Sequence, residues 1–189
     1  MESLVAWFSL YGNTETLARE VSQVLSGLGP VRTMRLEEVL AGDLVVELAV
    51  FATPTHGFGI PPQVRPMLSR LPDGTLGGVK VAAFDTAFGW WPLSALTAAP
   101  KLLRRMRRLG GTPVAPAESF HVVATEGPLA EGELARARSW AEGIVAAVAP
   151  APRTEPRPAT TGTGRRTEAA GQRGEASGQR PPEAHRPTR

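Results

Sequence analysis

The sequence predicts an α/β fold, a parallel sheet with helices packed on both of its faces. Three observations point to it. Five short apolar runs recur along residues 1–149, and each leads into helical or turn-forming sequence. The clearest of these runs are apolar without alternation, the pattern of strands buried on both faces. A polar, glycine-containing loop, Ser9-Leu10-Tyr11-Gly12-Asn13-Thr14-Glu15-Thr16, stands between the first run and the first helical pattern, which makes a strand–loop–helix unit of the kind that binds anions.

Taken in order, Leu4 to Phe8 reads as the first strand and Leu17 to Leu28 as the first helix, with Leu17, Val21, Val24, Leu25 and Leu28 at helical spacing. Gly27, Gly29 and Pro30 end that helix. Val31 to Leu36 is a second strand, followed by a brief helical turn at Glu37 to Leu40. Leu48 to Ala52 is the third, followed by the long loop from Thr53 to Pro62 and a helix over Gln63 to Leu71, with Pro66 in its first turn or kinking it. Val79 to Phe84 is the fourth, running into a loop from Asp85 to Trp91 and then a helix near Ala98 to Leu109. The fifth strand divides around Pro116, into Thr112 to Ala115 and Ser119 to Thr125. The last helix spans about Ala130 to Val148, with Leu134, Ala137, Trp140, Ala141, Ile144 and Val145 on one face.

In such sheets ligands sit beyond the carboxyl ends of the strands, near the switch in strand order. The loop at Ser9–Thr16 and the two long loops after the third and fourth strands all emerge at that end. The first loop has the chemistry of a phosphate cradle: hydroxyl donors at Ser9, Thr14 and Thr16, an amide at Asn13, a turn at Gly12, and the positive end of a helix behind them. It has no Lys and no Gly-Lys-Ser/Thr triphosphate motif, which favours a tightly docked monophosphate over ATP. The plainer reading is a loop that only caps its helix.

At these residues the chain resembles the flavodoxin family, whose FMN-phosphate loop reads Ser/Thr-x-Thr-Gly-x-Thr. Ser9 to Thr14 fits it, with Tyr11 in place of the middle Thr. The resemblance covers about residues 3 to 147. It implies a flavodoxin-like three-layer αβα sandwich with a five-stranded parallel sheet in the order 2-1-3-4-5, and FMN as cofactor. It places one flavin-ring loop at Thr53, Pro54, Thr55, His56, Gly57, Phe58 and Gly59, and the other at Asp85, Thr86, Ala87, Phe88, Gly89, Trp90 and Trp91. His56, Phe58, Phe88, Trp90 and Trp91 are the candidates to pack on the ring faces. With Ser9, Tyr11, Gly12, Asn13 and Thr14 these complete the expected cofactor-binding set. The resemblance also implies that a backbone carbonyl in the first ring loop turns to meet flavin N5 on reduction, with Gly57 first and Gly59 second as the residue permitting it.

The family's activity would make this an electron carrier between a reductase and an acceptor. Two rivals share the fold: an NAD(P)H-dependent oxidoreductase of the quinone-reductase type, and a flavin-free interaction module. No Ser–His–Asp or paired-carboxylate spacing suggests a nucleophile or general base. Cys is absent and His56, His121 and His185 are far apart, which argues against a metal site. Glu2, the lack of a basic leader and the absence of a long apolar run make a soluble cytoplasmic protein the expectation, monomeric and without nucleic-acid ligands.

The net charge of +3 is unevenly shared. Residues 150–189 hold eight Arg and four Glu, which leaves 1–149 at −1. No large apolar residue follows Val148, so 150–189 is expected to be a disordered tail on a 1–149 domain. Arg104, Arg105, Arg107 and Arg108 put a basic face on the helix after the fourth strand, most simply a solvated one.

Overall fold

The computed structural model describes residues 1–88 and 96–149. The expectations at Gly89, Trp90 and Trp91, and for the tail from residue 150, lie outside the described residues. Among the described residues six strands and four α-helices follow in the order β1 (Ser3–Trp7), α1 (Asn13–Leu25), β2 (Val31–Arg35), β3 (Leu48–Pro54), α2 (Val64–Ser69), β4 (Lys80–Ala87), α3 (Ala98–Arg108), β5 (Thr112–Pro113), β6 (Glu118–His121) and α4 (Glu133–Val148). All strand pairs are parallel, in the order β2-β1-β3-β4-β5, with β6 also pairing with β4. β5 and β6 are the two pieces of the fifth strand expected around Pro116, since a proline there cannot donate to the ladder.

The sheet separates two cores. On one face Phe51, Ala83 and Val81 pack against Val64, Leu68, Leu102 and Met106 of α2 and α3. On the other, Val50, Ala82 and Phe84 pack against Leu17, Val21, Ala141 and Ile144 of α1 and α4. Alternate residues of β3 and β4 therefore serve opposite layers, as a period of two demands, and both faces are dry because both are covered by helices. Phe84, Phe120 and Trp140 meet edge to face, with ring centroids 5.5–6.2 Å apart.

The structure differs from the sequence reading in several places: the short helical turn after β2 lies at Ala41–Leu44, the second piece of the fifth strand is Glu118–His121, and the last helix begins at Glu133. The first helix begins at Asn13, because the polar loop residues Asn13 to Thr16 are already helical. β4 continues through Asp85, Thr86 and Ala87, which the sequence places in a loop. The reason is register: Thr53 pairs with Asp85, and Pro54 with Thr86, so β3 extends β4 despite its polar residues. Leu134, expected on the inner face of the last helix, is exposed, while Ala137, Ala141, Ile144 and Val148 turn inward. Among the described residues no helix is long and apolar enough to cross a membrane.

The connection before β3 is held by an ion pair. Asp43 accepts the Leu40 N–H at 2.9 Å and the Arg32 guanidinium at 2.9 Å. These hold its carboxyl below the usual range, the Leu40 N–H contributing most. A depressed pKa gives stability that is present above the unfolded value of about 3.9 and is lost as pH falls through the folded one. In urea melts Asp43→Asn is therefore expected to be less stable than the native chain at neutral pH, and to converge with it in acid.

Candidate functional site

At the carboxyl end of the sheet, β1, β3, β4 and β6 release their chains around one cleft of about 280 Å³, near the lower end of the range for small-molecule sites. It is lined by Ser9, Leu10, Tyr11, Asn13, Thr14, Pro54, Thr55, His56, Gly57, Thr86, Phe88, Val122 and Thr125. No Lys or Arg is among them.

The floor is the turn from β1 into α1. Gly12 is the N-cap of α1 at φ 86°, and a Cβ there would meet nothing within 4 Å. Its cost is therefore conformational, since only glycine takes that φ freely. Ser9 Oγ accepts the Gly12 N–H at 3.0 Å, which tightens the turn. The next N–H groups belong to the first turn of a 13-residue helix, where no intrahelical acceptor exists. Thr14 is buried, and its Oγ1 lies 2.8 Å from Thr86 Oγ1 across the cleft. Two hydroxyls in one hydrogen bond use one proton between them, which leaves the second free to donate to a guest. Thr16, expected as a donor, is not one: its hydroxyl donates to Gly12 O within the helix at 3.0 Å.

Asn13 serves two masters. Its Nδ2 donates to Glu126 O at 2.9 Å, and this ties α1 to the loop after β6. That loop is the wall the sequence reading missed. Val122 and Thr125 line the cleft, but Val122 to Thr125 carries no recognisable motif and became visible only through the Asn13 contact and the antiparallel bridge Val122–Leu129.

The first ring loop is a tight turn. His56 and Gly59 exchange backbone hydrogen bonds, N–H to O at 2.9 and 3.1 Å. Gly57 and Phe58 between them have φ of 52° and 65°. Left-handed backbone at a Phe is strained by about 1–3 kcal/mol and persists only when its surroundings hold it. Here the holder is Lys101 of α3, whose ammonium donates to Phe58 O and to Leu96 O. A Cβ on Gly59 would sit 3.1 Å from Lys101 Nζ, so a larger residue there would crowd the end of that side chain. Lys101→Met is expected to raise amide hydrogen exchange at residues 56–59 about tenfold, the loss of about one charged hydrogen bond, with exchange in β1 and β3 unchanged.

Of the expected cofactor residues, Ser9, Tyr11, Asn13, Thr14, Pro54, Thr55, His56, Gly57, Thr86 and Phe88 meet in the one cleft. Gly12 shapes it from behind as the helix cap. Four others do not line it. Thr53 and Ala87 are buried inside β3 and β4, and Phe58 stands 64% exposed at the tip of its turn. Asp85 is fully buried beneath the cleft toward α3. Its Oδ2 accepts the Ala99 N–H at 2.5 Å and the Thr55 hydroxyl at 3.1 Å, while Thr55 Oγ1 accepts the Ala98 N–H at 2.7 Å. Asp85 and Thr55 together cap α3, in place of the adjacent Thr97. Burial pushes the Asp85 carboxyl up, opposed first by the Ala99 N–H and then by the Ser119, Thr97 and Thr55 hydroxyls.

A neutral, donor-rich loop at a helix N-terminus, with an amphipathic cleft above it at the strand switch, defines a nucleotide-binding protein of the doubly wound class. The flavodoxin family model matches residues 5–140, and the chain belongs to that family. Comparison with curated proteins finds no match. Among solved structures, the flavodoxin of Streptococcus pneumoniae TIGR4 is 23% identical with a TM-score of 0.64, over 78% of this chain and 100% of that one. Oxidised flavodoxin 2 from Bacillus cereus is 20% identical with a TM-score of 0.66, over 77% and 99%. Rubredoxin oxygen:oxidoreductase from Desulfovibrio gigas is 19% identical with a TM-score of 0.61, over 77% of this chain and 35% of that one.

Membership brings FMN as cofactor and electron transfer as the general activity. The residues present fit it. The Thr14–Thr86 hydroxyl pair and the α1 N-terminus suit a phosphate, and Pro54, Gly57 and Phe88 give the cleft apolar surface beside Thr55 and Thr125.

Proposed function

We propose that this chain carries electrons between a reductase and an acceptor through non-covalently bound FMN, with residues 1–149 as the working domain. The observation that carries the reading is the neutral donor floor, Ser9 to Thr14 with Thr86, opening into a cleft at the carboxyl end of the sheet. Bound FMN supplies the electron chemistry; the protein supplies binding, orientation and electrostatics.

Each part of the chain has a task in this reading. Thr14, Thr86 and the first N–H groups of α1 hold the phosphate. Asn13 and Glu126 fix the outer wall. Gly57 presents backbone to the ring edge, from a turn that Lys101 keeps in its left-handed form. Phe88, 62% exposed, offers a ring face worth about 0.5–1.5 kcal/mol beyond burial if stacked.

The test is a visible spectrum of the purified chain before and after FMN addition and desalting. Flavin bands retained at one-to-one, reduced by a reductase but not by NADPH or NADH alone, support the carrier. Direct reduction by NAD(P)H would replace it with the oxidoreductase, and a chain that stays colourless would replace it with the flavin-free module.

A further inference from the structure

We propose that the α2–α3 face of this chain is the docking surface for a redox partner, and that the partner meets it with an acidic surface. The proposal rests on the FMN carrier reading and deepens it, because it names the sign of the protein that the cleft serves.

Charge divides the domain. The segment carrying α2 and α3, residues 60–111, holds eight Lys and Arg against only Asp73 and Asp85, a net +6. The other residues of 1–149, a stretch that totals −1, therefore carry −7. The two sides also use their charge differently. On the α1–α4 side the cations are matched: Arg19 pairs with Glu15, Arg138 with Glu20, and Arg136 with Glu118 and Glu133. On the α2–α3 side Arg65, Arg70, Arg104, Arg107 and Arg108 are exposed and form no ion pair among the described residues. Arg105 reaches one carboxylate, the exposed Asp73, at 3.9 Å. Arg70 and Arg105 also donate to the carbonyls of Glu37 and Leu68, which leaves their charge in place.

These cations are ordered and aimed. Lys101, Arg104, Arg105 and Arg108 stand at i, i+3, i+4 and i+7 of α3, one stripe about 10 Å long at 1.5 Å per residue. Like charges at those spacings repel. Arg105 and Arg108 recover part of that at the helix C-terminus, whereas Lys101 and Arg104 stand outside the last turn. The stripe starts at the cleft, since Lys101 donates to Phe58 O and Leu96 O, and both of those side chains are exposed there. An apolar tip flanked by charge is the anatomy of a protein interface, and it lies where an electron has to leave. A nucleic acid or an anionic membrane would use the charge with no need for it to meet the cleft. A second copy is a poorer complement, because Glu15, Glu20, Glu118 and Glu133 are already paired. An acidic protein uses both the stripe and the tip, and opposite charge speeds its encounter.

The experiment is the stopped-flow rate of one-electron transfer from reduced plant-type ferredoxin, an acidic probe, to the FMN-loaded full chain as a function of salt. The rate constant is expected to fall about tenfold between about 0.02 M and about 0.5 M salt, as the attraction is screened. Arg104→Gln with Arg108→Gln should lower the low-salt rate about tenfold and leave the high-salt rate unchanged. Arg19→Gln with Arg138→Gln removes the same charge from the α1–α4 side and should leave the rate near native. FMN affinity equal to native in both double variants shows that each is folded. A rate insensitive to salt, or one that falls equally in the two double variants, would overturn the proposal alone. So would a ferredoxin rate untouched by Arg104→Gln with Arg108→Gln while duplex DNA, phosphatidylserine vesicles or a second copy bind through those arginines in low-salt sedimentation. Failure of the native chain to bind FMN would overturn the carrier reading and this proposal together.

Discussion

Replacing Asn13 and Thr14 together by alanine is expected to weaken FMN binding by roughly 30-fold to 25,000-fold, a loss of about 1–3 kcal/mol for each donor to a charged phosphate. The two residues do different things, and the structure separates them. Thr14 is buried and shares its hydroxyl with Thr86. Its removal takes one donor from the floor and leaves Thr86 to reorient. Asn13 holds Glu126 O, so its removal loosens the wall that carries Thr125 as well as removing an amide. Because they are adjacent, the two effects need not add, and the single variants belong in the same titration of flavin fluorescence. Thr14→Ala is expected to act mainly on affinity. Asn13→Ala is expected also to raise amide exchange in residues 123–127. An unchanged dissociation constant in the double variant would place the phosphate elsewhere.

The contrast between these two residues shows what the sequence can carry. Strand order, the helix after each strand and the phosphate loop are written in local patterns: continuous apolar runs, a period near 3.6, and a short donor-rich turn. Those were legible, down to the division of the fifth strand around Pro116. What was not legible depends on pairing across the sheet. Asp85-Thr86-Ala87 reads as loop because Asp and Thr are poor strand residues in isolation. It is strand because Thr53 and Pro54 lie beside Asp85 and Thr86 in register. The same hidden pairing sends Asp85 under the cleft instead of into it. Thr125 was missed for a related reason: nothing in its own segment marks it, and it reaches the site only because Asn13, 112 positions earlier in the numbering, holds the carbonyl of its neighbour Glu126. Lys101 belongs with it. In sequence it is one cation at the start of a basic helix, and only the fold sets it against the strained Phe58 turn.

Phe84→Ala is expected to cost about 3–5 kcal/mol of stability, a large share of the 5–15 kcal/mol that holds a typical domain together. Phe84 is fully buried at the middle of β4. Its ring meets Phe120 of β6 at 5.5 Å and Trp140 of α4 at 5.7 Å, both edge to face, geometry worth about 0.5–1.5 kcal/mol for each pair beyond area. Truncation leaves a cavity between the sheet and α4 and removes both pairs at once. Phe84→Leu keeps much of the volume and should lose far less, which separates packing from any effect of composition. The consequence for the site follows from position. Phe84 is the residue before Asp85 and two before Thr86, and Phe120 is two before Val122. Slack at this ring is therefore passed along β4 and β6 to the floor and the far wall of the cleft. Urea unfolding of the apoprotein measures the first effect and FMN titration the second. A destabilisation below about 1 kcal/mol would mean that this aromatic cluster does not anchor α4 to the sheet, and that the cleft draws its rigidity from the α1 side alone.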